Sequence, residues 1–217
     1  MDRAGLSPND GPTHHGLFDI SFLRCLPNAI VMSPKDEDEL QDMLKTSIQS
    51  KLPCFIRYPR GTGTGAKLKD GPQVITLGNA EELNSGSDIS IWALGSFVET
   101  ATKLAERISI NFGLSVSVVN ARFVKPLDDE LLHIHAKKHK MIVTLEDGVL
   151  KGGFGSSILE SINDAGIQTS IHRFGWPDEF IEHGESTDVL RKKHKLDTDS
   201  IFVFLEKILK TQVEAVL

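Results

Sequence analysis

The chain has 217 residues, 40% of them hydrophobic and 25% charged, with a formal net charge of −6. That balance predicts a globular protein of one large or two small domains. It excludes a general nucleic-acid-binding surface, and no apolar run approaches the ~20 residues that span a bilayer. The first residues lack a signal-peptide pattern, and Cys25 and Cys54, without metal-ligand spacing, predict free thiols in a reducing compartment.

The chain opens on "DRAGLSPNDGPTHHGLFD". Arg3, Asp10, Thr13, His14, His15 and Asp19 are interleaved there with glycine and proline. Neither helix nor strand tolerates that punctuation, so the stretch reads as a polar loop, where sites tend to sit on rigid scaffolds. "NAIVMS" then predicts a strand and "SPKDEDELQDMLKTSIQSKL" a helix. Ser33 is its expected cap, Pro34 suits the first turn, and Asp36, Glu37 and Asp38 favour the positive end of the dipole. Leu40, Met43, Leu44 and Ile48 fall on one predicted face. "CFIRYP" is the next strand, and glycine-rich "RGTGTGAKLKDGP" reads as a linker.

Beyond it, short β-branched runs alternate with amphipathic stretches. "DISIWAL" is nearly all apolar, as befits a strand covered on both faces. "SFVETATKLAERISINF" carries Val98, Ala101, Ala105 and Ile108 along one stripe. "LSVSVVN", "MIVTLE" and "IQTSIHRF" are further strands. "LDDELLHIHAKKH", "GSSILESINDAG", "STDVLRKKH" and "TDSIFVFLEKILKTQV" are helices, the second ending on Gly166 as a C-cap. Such alternation predicts a mainly parallel α/β sheet. Residues from about 72 onward suffice for a complete domain. Residues 1 to about 62 hold two clear strands and one helix, too little to bury a parallel sheet.

Four motifs in order, "DRAG", "DGPTHHG.FD.S.LRC.PN", "RYPRG" and "RFVKPLD", resemble the 1-deoxy-D-xylulose-5-phosphate synthases of the transketolase superfamily. The resemblance covers essentially the whole chain. It implies that residues 1–62 are the carboxy-terminal part of a thiamine-pyrimidine-binding domain, 63–75 a linker, and 76–217 a complete transketolase carboxy-terminal-type domain. It also implies a thiamine diphosphate- and Mg²⁺-dependent condensation of pyruvate with D-glyceraldehyde 3-phosphate, with loss of CO₂. The "GDG…N" metal motif and the glutamate that activates the aminopyrimidine are absent from this sequence. The isolated chain is therefore expected to be inactive, with the missing amino-terminal domains supplied in cis or in trans. A homodimer in the cytoplasm, or in the plastid stroma of a plant or alga, is the implied setting, with no nucleic-acid or membrane partner. The alternatives are a β-subunit-like part of a 2-oxo acid dehydrogenase and a non-catalytic assembly module.

Carried onto this chain, the resemblance places His14 over the cofactor's reactive carbon as proton carrier or oxyanion donor, with Asp10 orienting a histidine or the substrate. It makes Arg3 and Arg60 the receivers of the substrate phosphate, for which the guanidinium fork is well matched. Tyr58, two positions before Arg60, and His15 are further possible site residues. Adjacent histidines in an extended segment face opposite ways, which makes a structural His15 the plainer account. No metal site is expected from His14, His15 and Asp19. Asp19 reads as orienting the turn that follows, and Arg24 as half of a structural pair. The glycines of "GTGTG" and "KGGFGSS" can make tight turns or cradle an anion, and the tight turn is the plainer reading of the second. His133, His135 and His139 read as an exposed basic helix end. The incomplete amino-terminal sheet leaves open edges, so residues 1–62 are expected to associate with another chain, or the first ~20 residues to be disordered.

Overall fold

The computed structural model of the protein describes residues 1–214; residues 215–217, assigned above to the second domain, lie outside the described residues. The amino-terminal elements are α1 (Asp19–Arg24), β1 (Ile30–Met32), α2 (Glu37–Gln49) and β2 (Cys54–Ile56). Then follow β3 (Glu81–Asn84), β4 (Ile89–Ala93), α3 (Phe97–Phe112), β5 (Val116–Asn120), β6 (Phe123–Lys125), α4 (Asp129–Lys138), β7 (Met141–Val149), α5 (Phe154–Asp164), β8 (Ser170–Trp176), α6 (Thr187–Lys193) and α7 (Thr198–Glu214).

Five strands form the larger sheet in the order β3-β5-β4-β7-β8. The β5-β4, β4-β7 and β7-β8 pairs are parallel, and β3 adds an antiparallel edge. Each parallel pair is bridged through a helix, so both faces are covered. Along β4 the side chains divide by strand alternation. Ile89, Ile91 and Ala93 join a core with Phe97, Ala101, Leu104 and Ile108 of α3 and Ile201 and Leu205 of α7. Trp92 and Leu94 join another with Leu132 of α4 and Phe154 and Ile158 of α5. Burying each such side chain contributes about 1.5–3 kcal/mol, which makes this layer the stable centre of the molecule. The predicted stripe of α3 is buried throughout.

The smaller sheet has the order β2-β1-β6, with β1 parallel to β2 and antiparallel to β6. Its third strand is therefore the "RFVK" segment of the second half of the chain, a strand that the sequence pattern did not predict. The edge of β1 expected to be open is paired from within the molecule. Nor do the first twenty residues lack a fixed place. Leu6 and Leu17 are buried in the core shared with α3, and Ile20, Leu23 and Val31 in the core shared with α5. Their apolar side chains find in the second half the partners that their own half-sheet does not provide.

The cap and face of α2 also differ from expectation. Asp36, not Ser33, caps the helix, accepting the Glu39 amide at 2.8 Å. Ser33 is buried and directs its hydroxyl to the Arg57 carbonyl at 3.3 Å. Met43 is buried, but Leu44 and Ile48 are exposed. Of the other buried positions, Glu39 accepts Asn120 Nδ2 and Arg122 Nε, while Asp42 and Thr46 are covered by the glycine-rich segment 63–75, which half-buried Glu37 also holds. Glu37 accepts the amides of Thr64, Gly65 and Ala66 at 2.6–3.0 Å. Asp42 accepts the Gln73 amide at 2.6 Å, and Thr46 Oγ1 that of Ile75 at 2.9 Å. The Glu37 amide, then the Thr64 hydroxyl and the amides of Gly65 and Thr64, hold the Glu37 carboxyl down to about 2.

Candidate active-site cluster

The opening loop is held by backbone contacts that only small residues permit. Gly16 donates its amide to the Arg3 carbonyl at 3.0 Å and the Gly5 carbonyl at 2.8 Å. A Cβ on Gly16 would lie 2.2 Å from that Arg3 oxygen, so a glycine is required for the approach. Gly5, at φ 79°, sits directly against Asp147 of β7, where a Cβ would meet the carboxylate carbon at 2.3 Å. Arg3 itself adopts φ 59°, a conformation uncommon for residues other than glycine, and the surrounding bonds fix it.

Arg57 ties this loop to the rest of the protein. It is buried, and its guanidinium grips Asp19 at 2.8 and 3.1 Å, the Gly16 carbonyl at 3.0 Å and the Asp147 carbonyl at 2.9 Å. Asp147 in turn accepts the Trp176 indole N–H at 2.7 Å and the Arg191 guanidinium at 2.7 Å. Reading by sequence missed this network: Arg57 stands beside the motif residues Tyr58 and Arg60, but nothing in "RYPRG" says which arginine turns inward. Asp19 thus serves as the partner of Arg57 as well as opening α1.

Arg3, Asp10 and Arg60 come together at the surface. Asp10 Oδ2 accepts Arg3 Nε at 3.0 Å, Ser7 Oγ at 2.7 Å and Arg60 Nη1. The hydrogen bond from Arg60, followed by that from Ser7, holds the Asp10 carboxyl well below the usual carboxylate range, and Asp10 correspondingly raises Arg60. A cleft of about 450 Å³ opens beside them, lined by Ser7, Asn9, Arg60, Gly184 and Thr187 among others. His14 ends a 3₁₀ turn (Pro12–His14), exposed, with Nδ1 3.1 Å from Thr13 Oγ1. His15 is turned inward. Its Nδ1 accepts the Ser7 amide at 2.9 Å, which leaves Nε2–H to donate to the Glu182 carbonyl at 3.3 Å. The Tyr58 side chain is exposed, while its backbone bonds Met1 and Ala4.

The two glycine-rich turns hold the chain's own carboxylates. At the start of α5, buried Glu146 accepts the amides of Phe154 at 2.6 Å and Gly155 at 2.8 Å. Burial pushes its carboxyl up to about 7, against those two amides, which favour the ionised form. Arg24 pairs with Glu160 and donates to the Gly152 carbonyl at 2.9 Å. The histidines of α4 depart from expectation. His135 and His139 are buried, stacked with ring centres 4.7 Å apart. They bond Ser90 Oγ at 2.7 Å and Ser117 Oγ at 3.0 Å, under the sheet edge that β3 adds. His133 reaches Ser161 Oγ at 2.9 Å. Among the described residues, no group of three or more His, Cys, Asp and Glu can hold a metal ion.

This architecture matches known families in both halves. The model for the transketolase C-terminal domain matches residues 78–201, and that for the transketolase pyrimidine binding domain matches residues 1–64. The chain belongs to the transketolase family. Within it, the chain is similar to the carboxy-terminal portion of 1-deoxy-D-xylulose-5-phosphate synthase. It is 47% identical over 210 residues to the enzyme of that name from Methylacidiphilum infernorum, covering 97% of this chain and 33% of that protein. The synthase of Acidobacterium capsulatum is 48% identical over 200 residues, or 92% of this chain and 32% of its own length. The chain thus spans about a third of the length of these relatives. Among solved structures, an inactive β4 tetramer of a split-gene transketolase superposes with TM-score 0.81 at 27% identity, covering 92% of this chain and 64% of that one. Transketolase from Leishmania mexicana, at 20% identity and TM-score 0.68, shares the fold over 93% of this chain and 28% of its own.

Proposed function

We propose that this chain supplies the acceptor-substrate side of a transketolase-type synthase, one that condenses pyruvate with D-glyceraldehyde 3-phosphate to 1-deoxy-D-xylulose 5-phosphate and CO₂. The observation that carries this reading is the convergence of Arg3 and Arg60, from two separate segments, on a single anionic oxygen beside a surface cleft. A phosphate monoester suits such a pair of cations, through charge-assisted bonds to its several oxygens. His14, exposed on the same loop, is placed to donate to a substrate carboxylate or developing oxyanion and to carry a proton. His15 holds the loop, with both ring nitrogens engaged. The domain division at 62 and 76 belongs to the same proposal.

The family implies thiamine diphosphate and Mg²⁺, and the residues here do not fit them. Glu146 and Glu37 already fill the amide-lined turns that resemble anion seats. We assign the cofactor's diphosphate and metal to the length of the relatives that this chain does not span, carried on the same polypeptide or another. The similarity to a split-gene transketolase favours a second arrangement, in which this chain is the β half of a two-chain enzyme and self-associates alone. Similarity to synthases and transketolases favours the synthase reading over a β subunit of a 2-oxo acid dehydrogenase.

The test is kinetic. In an active assembly, Arg60→Ala raises KM for D-glyceraldehyde 3-phosphate about tenfold or more, since a bond to a charged group contributes roughly 1.5–3 kcal/mol. KM for pyruvate stays near its starting value. An equal rise in both constants would remove Arg60 from the phosphate role. The isolated chain should not decarboxylate pyruvate.

A further inference from the structure

The anion at the centre of the cluster is a poor match for its surroundings. Arg3 Nε, Ser7 Oγ and Arg60 Nη1 all donate to Oδ2 of Asp10, and none of them to Oδ1. A carboxylate spreads one negative charge over two oxygens. A phosphate monoester near its second ionisation carries about −1.5 to −2 over three terminal oxygens, one for each of these donors. The seat therefore suits a larger and more highly charged anion than the one that fills it. The Asp10 carboxylate is held by side chains alone, so it can swing out by side-chain rotation without breaking a backbone hydrogen bond.

We propose that Asp10 is a specificity-determining residue, whose carboxylate closes the Arg3–Arg60 seat until a phosphate dianion displaces it. The proposal rests on the reading of Arg3 and Arg60 as phosphate binders. Its chemical logic lies in the two substrates. Pyruvate is a carboxylate monoanion, with no charge advantage over the aspartate already in place. A phosphate dianion has twice the charge and an oxygen for each donor, so it wins the exchange. The gate thus keeps one substrate out of the other's seat.

The test needs only the chain itself. Inorganic phosphate and pyruvate are titrated separately into the wild type, Asp10→Asn and Arg60→Gln at pH 8 and low ionic strength, where screening is weak. Binding is followed by calorimetry, and backbone amide spectra report the fold of each variant. Asp10→Asn is expected to bind phosphate about tenfold more tightly than the wild type and to acquire pyruvate binding that the wild type lacks. Arg60→Gln is expected to weaken phosphate binding about tenfold. Damage to the fold cannot produce the tightening. Phosphate binding that weakens in Arg60→Gln but does not tighten in Asp10→Asn overturns the gate and leaves the seat. An absence of phosphate binding in the wild type and in Asp10→Asn alike overturns the seat itself.

Discussion

The two halves of this chain are built on different physics. The central strands of the larger sheet, β4, β5 and β7, are enclosed on both faces and buried along their whole length. The smaller sheet has short strands, borrows its third from the other half, and packs α2 through buried acids as well as through Met43. One region is stabilised mainly by apolar burial within itself. The other is held by directed polar bonds, many of which reach across to its neighbour: Arg57 to Asp147, Lys125 to the Arg24 and Leu26 carbonyls, and Arg122 to Glu39. The site loop lies at their junction, so its geometry depends on the second half although its motif residues come from the first.

Deletions of large side chains should expose this difference most strongly. Phe97→Ala, in the buried layer under β4, is expected to cost about 4 kcal/mol and to shift the main unfolding transition in chemical denaturation. A loss below about 1 kcal/mol would mean that this layer is not the stable centre. Arg57→Ala is expected to cost about 3 kcal/mol, because it strands the buried Asp19 carboxylate. Its signature is regional: hydrogen exchange should quicken in residues 1–64 and change little in β4 and β7. Uniform quickening would contradict the division.

Acid should separate the halves further. Burial, then the neighbouring His139, push the His135 imidazole down from 6.5 to about 4. Between those values the unfolded chain binds a proton that the folded chain refuses, so stability in the carboxy-terminal region falls as pH drops from 6.5. Glu146 works in the opposite sense. Raised from 4.5 to about 7, it binds a proton in the folded state that the unfolded chain releases, so its contribution is lost as pH rises through that interval. Glu37 in the amino-terminal region, lowered from 4.5 to about 2, keeps its contribution until pH falls below 4.5. Thermal melts of the wild type, His135→Gln and Glu146→Gln between pH 4 and 7.5 check this, each substitution flattening the profile in its own direction. The smallest effect is expected at the exposed Lys103–Glu99 pair of α3, where Lys103→Ala should change stability by no more than about 0.5 kcal/mol.

The alternation of strands and helices in the second half was legible because it rests on local periodicity. The α3 stripe of Val98, Ala101, Ala105 and Ile108 and the ending of α5 near Gly166 are properties of a few neighbouring residues. In α2 the same reasoning failed for Leu44 and Ile48, because the glycine-rich segment docks on the polar side of that helix and the sheet needs only part of its apolar side. The histidines of α4 misled for a related cause. Beside lysines they read as solvent-facing, yet Ser90 and Ser117, distant in sequence, offer the partners that let two of them be buried.

By itself the sequence determined the family, the strand–helix alternation of the second half and the residue types gathered at the opening loop, since composition, periodicity and motif spacing are properties of the chain. The tertiary structure alone decided that β6 completes the amino-terminal sheet, that Arg57 turns inward while Arg60 turns outward, and that Asp10 fills the space between two arginines. Each of those outcomes depends on a backbone edge, a buried charge or an anion seat finding its partner tens of residues away. No local pattern encodes such a pairing before the chain folds.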